Sequence, residues 1–248
     1  MKYNIIQSKD NEKIKTLRKL QTKKYRSKLE LFCVENYTIF VDALKDGFVP
    51  ESLFVTNEFL DKNKEELERV LGDAGMSECV VITREINGSF SSLDTPSGVC
   101  AVYKKKEKAV ELNESVIYLN AVSDPGNLGT ILRSALAFGF ENIVLDDMCV
   151  DLYNPKTVQA LKGANFNLNI SFDRNLKILN QIKDEMKIIS TDVEKGEDAK
   201  EFSIDEKFCL VLGNETRGVD ENVREMADVS LNIKISPKIE SLNVSSSA

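Results

Sequence analysis

Apolar residues follow two patterns along this chain. Short apolar runs typical of buried strands alternate with stretches in which apolar residues recur every three or four positions, as in amphipathic helices. In the N-terminal part, the predicted strands are 30–34, 52–56, 79–83 and 98–103, and the predicted helices are 10–28, 38–45 and one near 61–71. This alternation predicts a compact α/β unit.

The alternation resumes after a charged stretch, KKKEKAVELNE (104–114), which has the composition of a connector between domains. The predicted strands beyond it are 116–122, 142–146, 168–172, 187–191, 208–213 and 230–235, and the predicted helices are 128–138, one near 154–162, and 175–185. Strands that are apolar on both faces and separated by helices predict a parallel sheet covered on each side. The sequence therefore predicts a smaller α/β domain over 1–103, a linker over 104–114 and a parallel-sheet domain over 115–248.

The composition excludes several kinds of site. The 248 residues contain no histidine, which removes the commonest general base and every Ser-His-Asp or Cys-His nucleophile. Five cysteines lie too far apart for a C-x-x-C pair, so we expect isolated buried thiols and no metal. No apolar run approaches the roughly 20 residues of a membrane span, and the N-terminus lacks a secretory signal, so we expect a cytoplasmic protein.

Charge is unevenly distributed. The chain carries a net charge of −7, but residues 1–30 contain ten Lys or Arg against Asp10, Glu12 and Glu30. The predicted helix 10–28 therefore has a cationic outer face, which either is simply solvated or binds an anionic partner. The candidate phosphate-binding residues on it are Lys23, Lys24 and Arg26.

The first candidate loop is SDPGNLGTILRSALAFG (123–139), which follows a predicted strand and opens a helix. The free N–H groups at such a helix start can bind an anion. The segment matches neither G-x-G-x-x-G nor a P-loop, so the alternative of a nucleotide-binding metabolic enzyme rests only on a glycine turn. Arg133 lies among apolar neighbours, where it either reaches the surface or is held for a task.

Two further loops follow predicted strands. In LVLGNETRGVDENV (210–223), Glu215 and Arg217 lie between two glycines that allow a ligand to approach the backbone. In IKISPKIESLNVS (233–245), Ser241 and Asn243 are suited to cap a helix. Ligands of open α/β sheets bind beyond the carboxyl ends of strands, which is where all three loops are predicted to lie.

Taken together, DPGNLGTILRSALAFG, LVLGNETRG and ESLNVS resemble, in order and spacing, the three motifs of the SpoU (TrmH-like) family of RNA methyltransferases in the SPOUT superfamily. The resemblance extends through VDLYNPKTVQALKGANF (150–166) and covers nearly all of 116–245. The N-terminal stretch KIKTLRKLQTKKYRSKLELFCVEN is similar to the family's RNA-substrate-binding domain. We therefore expect Lys23, Lys24 and Arg26 to be RNA-binding residues.

The resemblance implies a trefoil-knotted catalytic domain, S-adenosyl-L-methionine as cofactor, and a homodimer whose active site borrows residues across the interface. The implied activity is methylation of a ribose 2′-hydroxyl in rRNA or tRNA, with rRNA favoured. The residues implied as catalytic are Asn127, Arg133, Glu215, Ser241 and Asn243. The residues implied in cofactor binding are Gly213, Ile233 and Leu242.

A guanidinium is a poor base, so we expect Arg133 to stabilise charge and anchor phosphate, which leaves Glu215 as the other candidate proton acceptor. Two departures from the family pattern are present. The chain reads IKISP at 233–237 where relatives show Ile-Pro-Met-x-Gly, and relatives continue beyond SLNVSSSA for about another helix, so a shortened C-terminal helix is expected. They motivate an alternative hypothesis, an RNA-binding protein with a catalytically impaired methyltransferase domain.

Overall fold

The computed structural model describes residues 1–192, 196–236, 238 and 243–247. Its contacts divide the chain into two compact units, each described below by itself. Unit 1 comprises Met1–Lys106 and Tyr153–Phe166, and unit 2 comprises Glu107–Leu152 and Asn167–Ala248. Residues 153–166 therefore pack within unit 1, although they follow the predicted linker in sequence.

The strands in chain order are β1 (Lys2–Ile6), β2 (Leu31–Val34), β3 (Ser52–Thr56), β4 (Glu78–Ile82), β5 (Val99–Lys104), β6 (Val116–Leu119), β7 (Asn142–Asp146), β8 (Asn169–Asp173), β9 (Lys187–Thr191), β10 (Glu197–Asp198), β11 (Phe208–Leu212) and β12 (Val229–Asn232). The helices are α1 (Glu12–Lys19), α2 (Lys23–Leu29), α3 (Tyr37–Lys45), α4 (Asn57–Asp73), α5 (Arg84–Gly88), α6 (Pro125–Ala137), α7 (Pro155–Leu161), α8 (Lys177–Glu185), α9 (Glu221–Arg224) and α10 (Val244–Ser247). A short 3-10 helix, Ala164–Phe166, follows α7.

Unit 1 contains a mixed sheet in the order β1-β4-β3-β5-β2. Strands β1, β4 and β3 run parallel, and β5 runs antiparallel to β3 and β2. Side chains of Asn36, Thr56 and Thr83 follow strand ends and each accepts an N–H of the helix that begins there. These caps satisfy helix N–H groups that otherwise lack partners and explain why the helices begin where they do.

The predicted helix 10–28 is two helices in the structure, which corrects the prediction. Helix α1 ends with Leu20 as its C-cap, and Thr22 adopts an extended backbone before α2 begins. Ile14, Leu17 and Leu20 are buried in the core against the sheet. Packing of this apolar face against the sheet determines the direction of α1 and the break after it. The spacing of apolar residues in the sequence does not reveal such packing.

An aromatic cluster in unit 1 explains why 153–166 belongs there. The ring centroids of Phe32 and Tyr153 lie 4.7 Å apart, and those of Tyr103 and Phe166 lie 4.8 Å apart. Phe48 also packs against Phe166, at 5.2 Å between centroids. Contacts of this kind stabilise a structure beyond the apolar area that they bury.

Unit 2 contains a sheet in the order β10-β12-β9-β11-β6-β7-β8. Every strand pairing among its described residues is parallel, so the predicted parallel sheet is confirmed. Strands β6 and β7 are buried along their whole length, as expected where helices cover a sheet on its two faces. Within the described part of the chain, no helix is long and apolar enough to cross a membrane.

The order of strands creates a switch point between β6 and β11. The chain leaves β6 through α6 towards β7 on one side, whereas it leaves β11 through α9 towards β12 on the other side. Because β6 and β11 are parallel neighbours, their carboxyl ends open into the same crevice. Ligands of open α/β sheets bind at such a crevice.

Candidate functional site

Glu215 joins the loops that follow β6 and β11. Its carboxylate accepts hydrogen bonds from the Ser123 backbone N–H (3.3 Å) and hydroxyl (3.1 Å). It also accepts from the backbone N–H of Asp124 (3.1 Å) and from Nδ2 of Asn127 (3.0 Å). The predicted site residues Asn127 and Glu215 are therefore in direct contact at the switch point.

These donors determine the ionisation of Glu215. Burial raises the pKa of the carboxyl, but the hydrogen bonds from Asn127 and from the backbone N–H groups of Glu215, Asp124 and Ser123 outweigh it and lower the pKa below 4.5. The group is therefore an anion at neutral pH whose lone pairs are already engaged. Such a carboxylate positions its partners well and accepts a proton poorly, which favours a positioning role over the predicted alternative of a base.

The start of α6 is organised by its own cap as well. The side chain of Asp124 accepts the backbone N–H of Asn127 at 2.8 Å, and Pro125 occupies the first helical turn, where no N–H is needed. This cap begins the helix at Pro125 rather than at the predicted residue 128. The side chain of Asn127 is thereby fixed between its own helix and Glu215.

The loop after β11 is a tight turn that depends on Gly213. Asn214 and Gly218 exchange two backbone hydrogen bonds, at 2.8 and 3.0 Å. A Cβ at Gly213 would lie 2.3 Å from the Gly218 carbonyl carbon and 2.4 Å from the Val219 nitrogen. Gly213 is therefore required by the close approach of the chain's own backbone. Its predicted contact with the cofactor stays a prediction.

A buried polar network that sequence reasoning missed braces this crevice. Nδ2 of Asn120 donates to Asp146 (2.7 Å) and Asp220 (3.2 Å), and its Oδ1 accepts the Asp220 backbone N–H (2.7 Å). Asp146 also accepts the backbone N–H of Ala121 at 3.0 Å. Asn120 directly follows β6, Asp146 ends β7 and Asp220 immediately precedes α9, so the network ties the ends of β6 and β7 to the start of α9. The available signal was an Asn or Asp at the ends of β6 and β7.

Arg133 lies on α6 but away from Glu215. It is exposed, and no described residue forms a hydrogen bond or ion pair with it. Asn127 and Arg133 are six residues apart, which places them about 120° apart around the helix and roughly 9 Å apart along it. Within the described chain, Arg133 is therefore a solvent-facing cation that does not join the Asn127–Glu215 pair.

The third loop is described in part. Ile233, directly after β12, is an apolar side chain that is 37% exposed. Oδ1 of Asn243 accepts the backbone N–H (2.8 Å) and the hydroxyl (2.7 Å) of Ser245, so Asn243 begins α10, which lies against α6. The predicted residues Ser241 and Leu242 lie outside the described residues.

In unit 1, the predicted RNA-binding residues separate into two classes. Lys23 and Lys24 are exposed on α2, as the prediction requires. Arg26 is only 3% exposed, and its Nη1 donates to the carbonyl oxygen of Leu20 at 2.8 Å. Its predicted contact with RNA phosphates is therefore wrong, because the guanidinium is committed to joining α1 and α2 inside the unit.

The five cysteines are free thiols in the structure, four buried and Cys33 partly exposed, and Cys33 lies beside Cys100, which differs from the predicted isolated thiols. Burial raises the pKa of Cys79 to about 11 and that of Cys209 to about 12, so neither forms a thiolate near neutral pH. Among the described residues, no group of His, Cys, Asp and Glu is arranged to hold a metal ion.

Comparison with known proteins agrees with this architecture. The model of the SpoU rRNA Methylase family matches residues 114–248, and that of the MRM3-like substrate binding domain matches residues 11–101. The chain is 31% identical over 245 residues to "23S rRNA (guanosine(2553)-2'-O)-methyltransferase RlmP" of Bacillus subtilis, covering 98% of this chain and 95% of that protein. It is 31% identical over 160 residues to mitochondrial rRNA methyltransferase 3 of Mus musculus, covering 61% of this chain and 37% of that protein.

Solved structures share the fold. An AdoMet-bound rRNA methyltransferase from Sinorhizobium meliloti superposes with a TM-score of 0.85 at 22% identity, covering 99% of this chain and 94% of that one. The SpoU methyltransferase AviRb from Streptomyces viridochromogenes superposes with a TM-score of 0.82 at 20% identity, covering 95% of this chain and 93% of that one. With its first two motifs joined at the switch point and the family model spanning 114–248, the chain belongs to the SpoU rRNA Methylase family.

Proposed function

We propose that this protein methylates a ribose 2′-hydroxyl of rRNA with S-adenosyl-L-methionine as the methyl donor. The proposal is carried by one observation, the Glu215 carboxylate that holds the first family motif against the second at the strand switch point. Family membership and the named activities of the relatives support it.

The residues present fit this cofactor. The adenine and the methionyl chain of the cofactor need an apolar surface and backbone groups that they can contact. Ile233, which is partly exposed directly after β12, offers the apolar surface. The backbone of Gly213 is the second proposed contact, and Leu242 is the third. When bound, the cofactor supplies an electrophilic methyl group, so no metal is needed.

The chain's own groups divide the remaining work. Glu215 holds Asn127 and the start of α6 in place, which preorganises the crevice before RNA arrives. Arg133 has no partner in the described chain, so its guanidinium is available to bind a phosphate and to stabilise the negative charge that develops on the ribose oxygen. Ser241 and Asn243 complete the proposed site from the third motif.

Arg133→Ala tests this assignment. We expect label transfer from the methyl donor to RNA to fall by about 100-fold or more, the usual loss when a group stabilising a developing oxyanion is removed. Cofactor binding, measured by calorimetry, should stay unchanged. Arg174→Ala, an exposed arginine elsewhere in unit 2, is the matched control. Near-normal turnover by Arg133→Ala would remove its catalytic role.

The second candidate function, an RNA-binding protein with impaired catalysis, is favoured by one observation, the IKISP sequence where the family pattern differs. It predicts RNA binding by the full chain without methyl transfer. Measurable cofactor binding together with labelled RNA would exclude it.

Four finer features are proposed with the function. The resemblance implies a trefoil knot in unit 2 and a homodimer. The dimer is supported by the separation of Arg133 from Glu215 within one chain and by Phe138, which is 79% exposed at the end of α6. Sedimentation equilibrium that gives a monomer mass would contradict the dimer.

A cytoplasmic location and a preference for rRNA over tRNA are supported by the activity named for the bacterial relative. Ribose-methylation mapping in cells with and without the gene tests that preference.

A further inference from the structure

Tyr25 lies on helix α2 among exposed lysines. Its ring is partly exposed on α2, with Nζ of Lys19 5.8 Å and Nζ of Lys24 5.9 Å from the ring centroid. These distances lie at the outer limit of a cation–π contact, about 6 Å, so the ammonium groups border the ring without being tightly held to it.

The fold makes little use of this ring. Within the described residues, the Tyr25 hydroxyl has no hydrogen-bond partner and the ring packs against no other aromatic ring. The buried side chain of α2 is Arg26 instead. A large aromatic side chain without such a structural partner, on a charged surface, is available for a ligand.

The lysines around the ring also lack carboxylate partners. Lys19, Lys23, Lys24 and Lys28 form no ion pair with any described residue. Elsewhere in unit 1, lysines commonly have such a partner: Lys2 pairs with Glu78, Lys9 with Glu85, Lys15 with Glu12 and Lys45 with Asp42. In a chain with 40 acidic residues, this is a local accumulation of positive charge without ion pairs. Such a surface attracts a polyanion.

We propose that Tyr25 is a stacking platform for an unpaired base of the RNA substrate, with Lys19 and Lys24 binding the flanking phosphates. An aromatic face accepts the π-surface of any base, and lysines beside it bind the backbone irrespective of sequence. A base inside a duplex is stacked on its neighbours and cannot reach such a ring. The inference rests on the proposed function and deepens it, because it specifies a single-stranded segment in the RNA that unit 1 binds.

The chain contains no tryptophan, so Tyr25→Trp introduces a single fluorescent reporter at the platform. We expect its emission to be quenched on titration with a short single-stranded RNA and much less by a blunt RNA duplex. Tyr3→Trp is the matched control. Tyr3 also lies near a lysine, Lys64 at 5.9 Å, but its hydroxyl donates to the Glu68 carboxylate at 2.6 Å, so its surroundings are not purely cationic.

Affinity measurements on the same oligonucleotide provide the second readout. Tyr25→Phe should bind within about two-fold of the wild type, whereas Tyr25→Leu should lose roughly ten-fold, the effect of removing one stacked base. Equal affinity of Tyr25→Leu and wild type, or an unchanged Tyr25→Trp emission while labelled RNA is bound, would overturn the platform.

The outcomes separate this inference from the proposed function. Methyl transfer by a Tyr25→Leu variant with unchanged RNA affinity would overturn the platform and leave the function standing. Quenching of Tyr25→Trp in a protein that never methylates RNA would support the platform and refute the function. A wild-type chain that binds no RNA would refute the two together.

Discussion

Single residues at the switch point act mainly by holding others in place. Glu215 accepts four hydrogen bonds from residues 123–127, and Asn120 joins the ends of β6 and β7 to the start of α9. Positioning of this kind matters for group transfer because small displacements of the reacting groups cost large factors in rate. The ionised state of Glu215 is therefore a structural requirement of the site.

Glu215→Gln should destabilise the protein at neutral pH by about 1–2 kcal/mol, because the amide nitrogen would face N–H donors. The pKa of Glu215 is lower in the folded protein than its ordinary value of 4.5. Its contribution to the free energy of unfolding is therefore present above pH 4.5 and is lost as the pH falls through the lowered pKa. The difference in melting temperature between variant and wild type should accordingly shrink below about pH 4.5.

Thermal unfolding followed by circular dichroism from neutral to acid pH checks this. Glu201→Gln, at an exposed glutamate, controls for the loss of one surface charge. A constant difference across the whole pH range would contradict the linkage to Glu215.

At the scale of elements, backbone proximity governs the loop after β11. Gly213→Ala should destabilise unit 2 by several kcal/mol and weaken cofactor binding, because a Cβ there meets the Gly218 and Val219 backbones and not a movable side chain. Gly72→Ala, in helix α4 with nothing within 4 Å of the added Cβ, should instead stabilise by about 0.5–1 kcal/mol. Chemical denaturation measures the two effects, and equal effects of the two substitutions would refute the packing argument.

Helix α2 is the element that we expect to contribute most to RNA affinity. Charge reversal at Lys23 and Lys24 should weaken binding to single-stranded RNA and reduce the slope of log affinity against log salt by about 1.4, or about 0.7 for each lost phosphate contact. The double reversal of Lys2 and Lys104 changes the charge equally, but these lysines are paired with Glu78 and Glu51. If both double variants reduce this slope to the same extent, the change in net charge explains the result and the prediction for α2 is wrong.

At the scale of the whole molecule, the chain crosses between its two units at 106–107, 152–153 and 166–167. Unit 1 is therefore incomplete without a segment from the second half of the sequence. A fragment ending at residue 103 omits the aromatic contacts of Tyr153 and Phe166, so RNA binding by unit 1 is best tested in the full chain.

Phe166→Ala tests the importance of that returning segment. Its ring is partly buried against Tyr103 and Phe48, so we expect a loss of about 1–3 kcal/mol, somewhat below the cost for a fully buried phenylalanine. Hydrogen exchange should show the loss in strands β2 and β5. Val49→Ala, at a position that is 51% exposed, should change exchange little. Unaltered protection of β2 and β5 in Phe166→Ala would show that the segment is dispensable.

Local patterns in the sequence determined the elements and much of the site. Apolar runs located six of the seven strands of the parallel sheet, with ends displaced by a few residues, but not the short β10. The first two motifs identified Asn127 and Glu215 before any contact was known. Local periodicity failed at 10–28, where packing divides one predicted helix into two, and short elements such as β1 and α5 were not predicted. A period of apolar residues records which face is buried, but not where the chain turns.

Only the tertiary structure decided which residues meet. Asn127 and Glu215 are 88 residues apart and come together because β6 and β11 are neighbours in the sheet, which no local pattern specifies. Likewise, the tertiary structure buries Arg26 inside unit 1 and leaves the neighbouring Lys23 and Lys24 exposed. Residues 153–166 belong to unit 1 because their aromatic rings contact rings that are distant in sequence. Residue type and local spacing determine what chemistry is available, whereas strand order and burial determine which groups share a site and which are enclosed in the core.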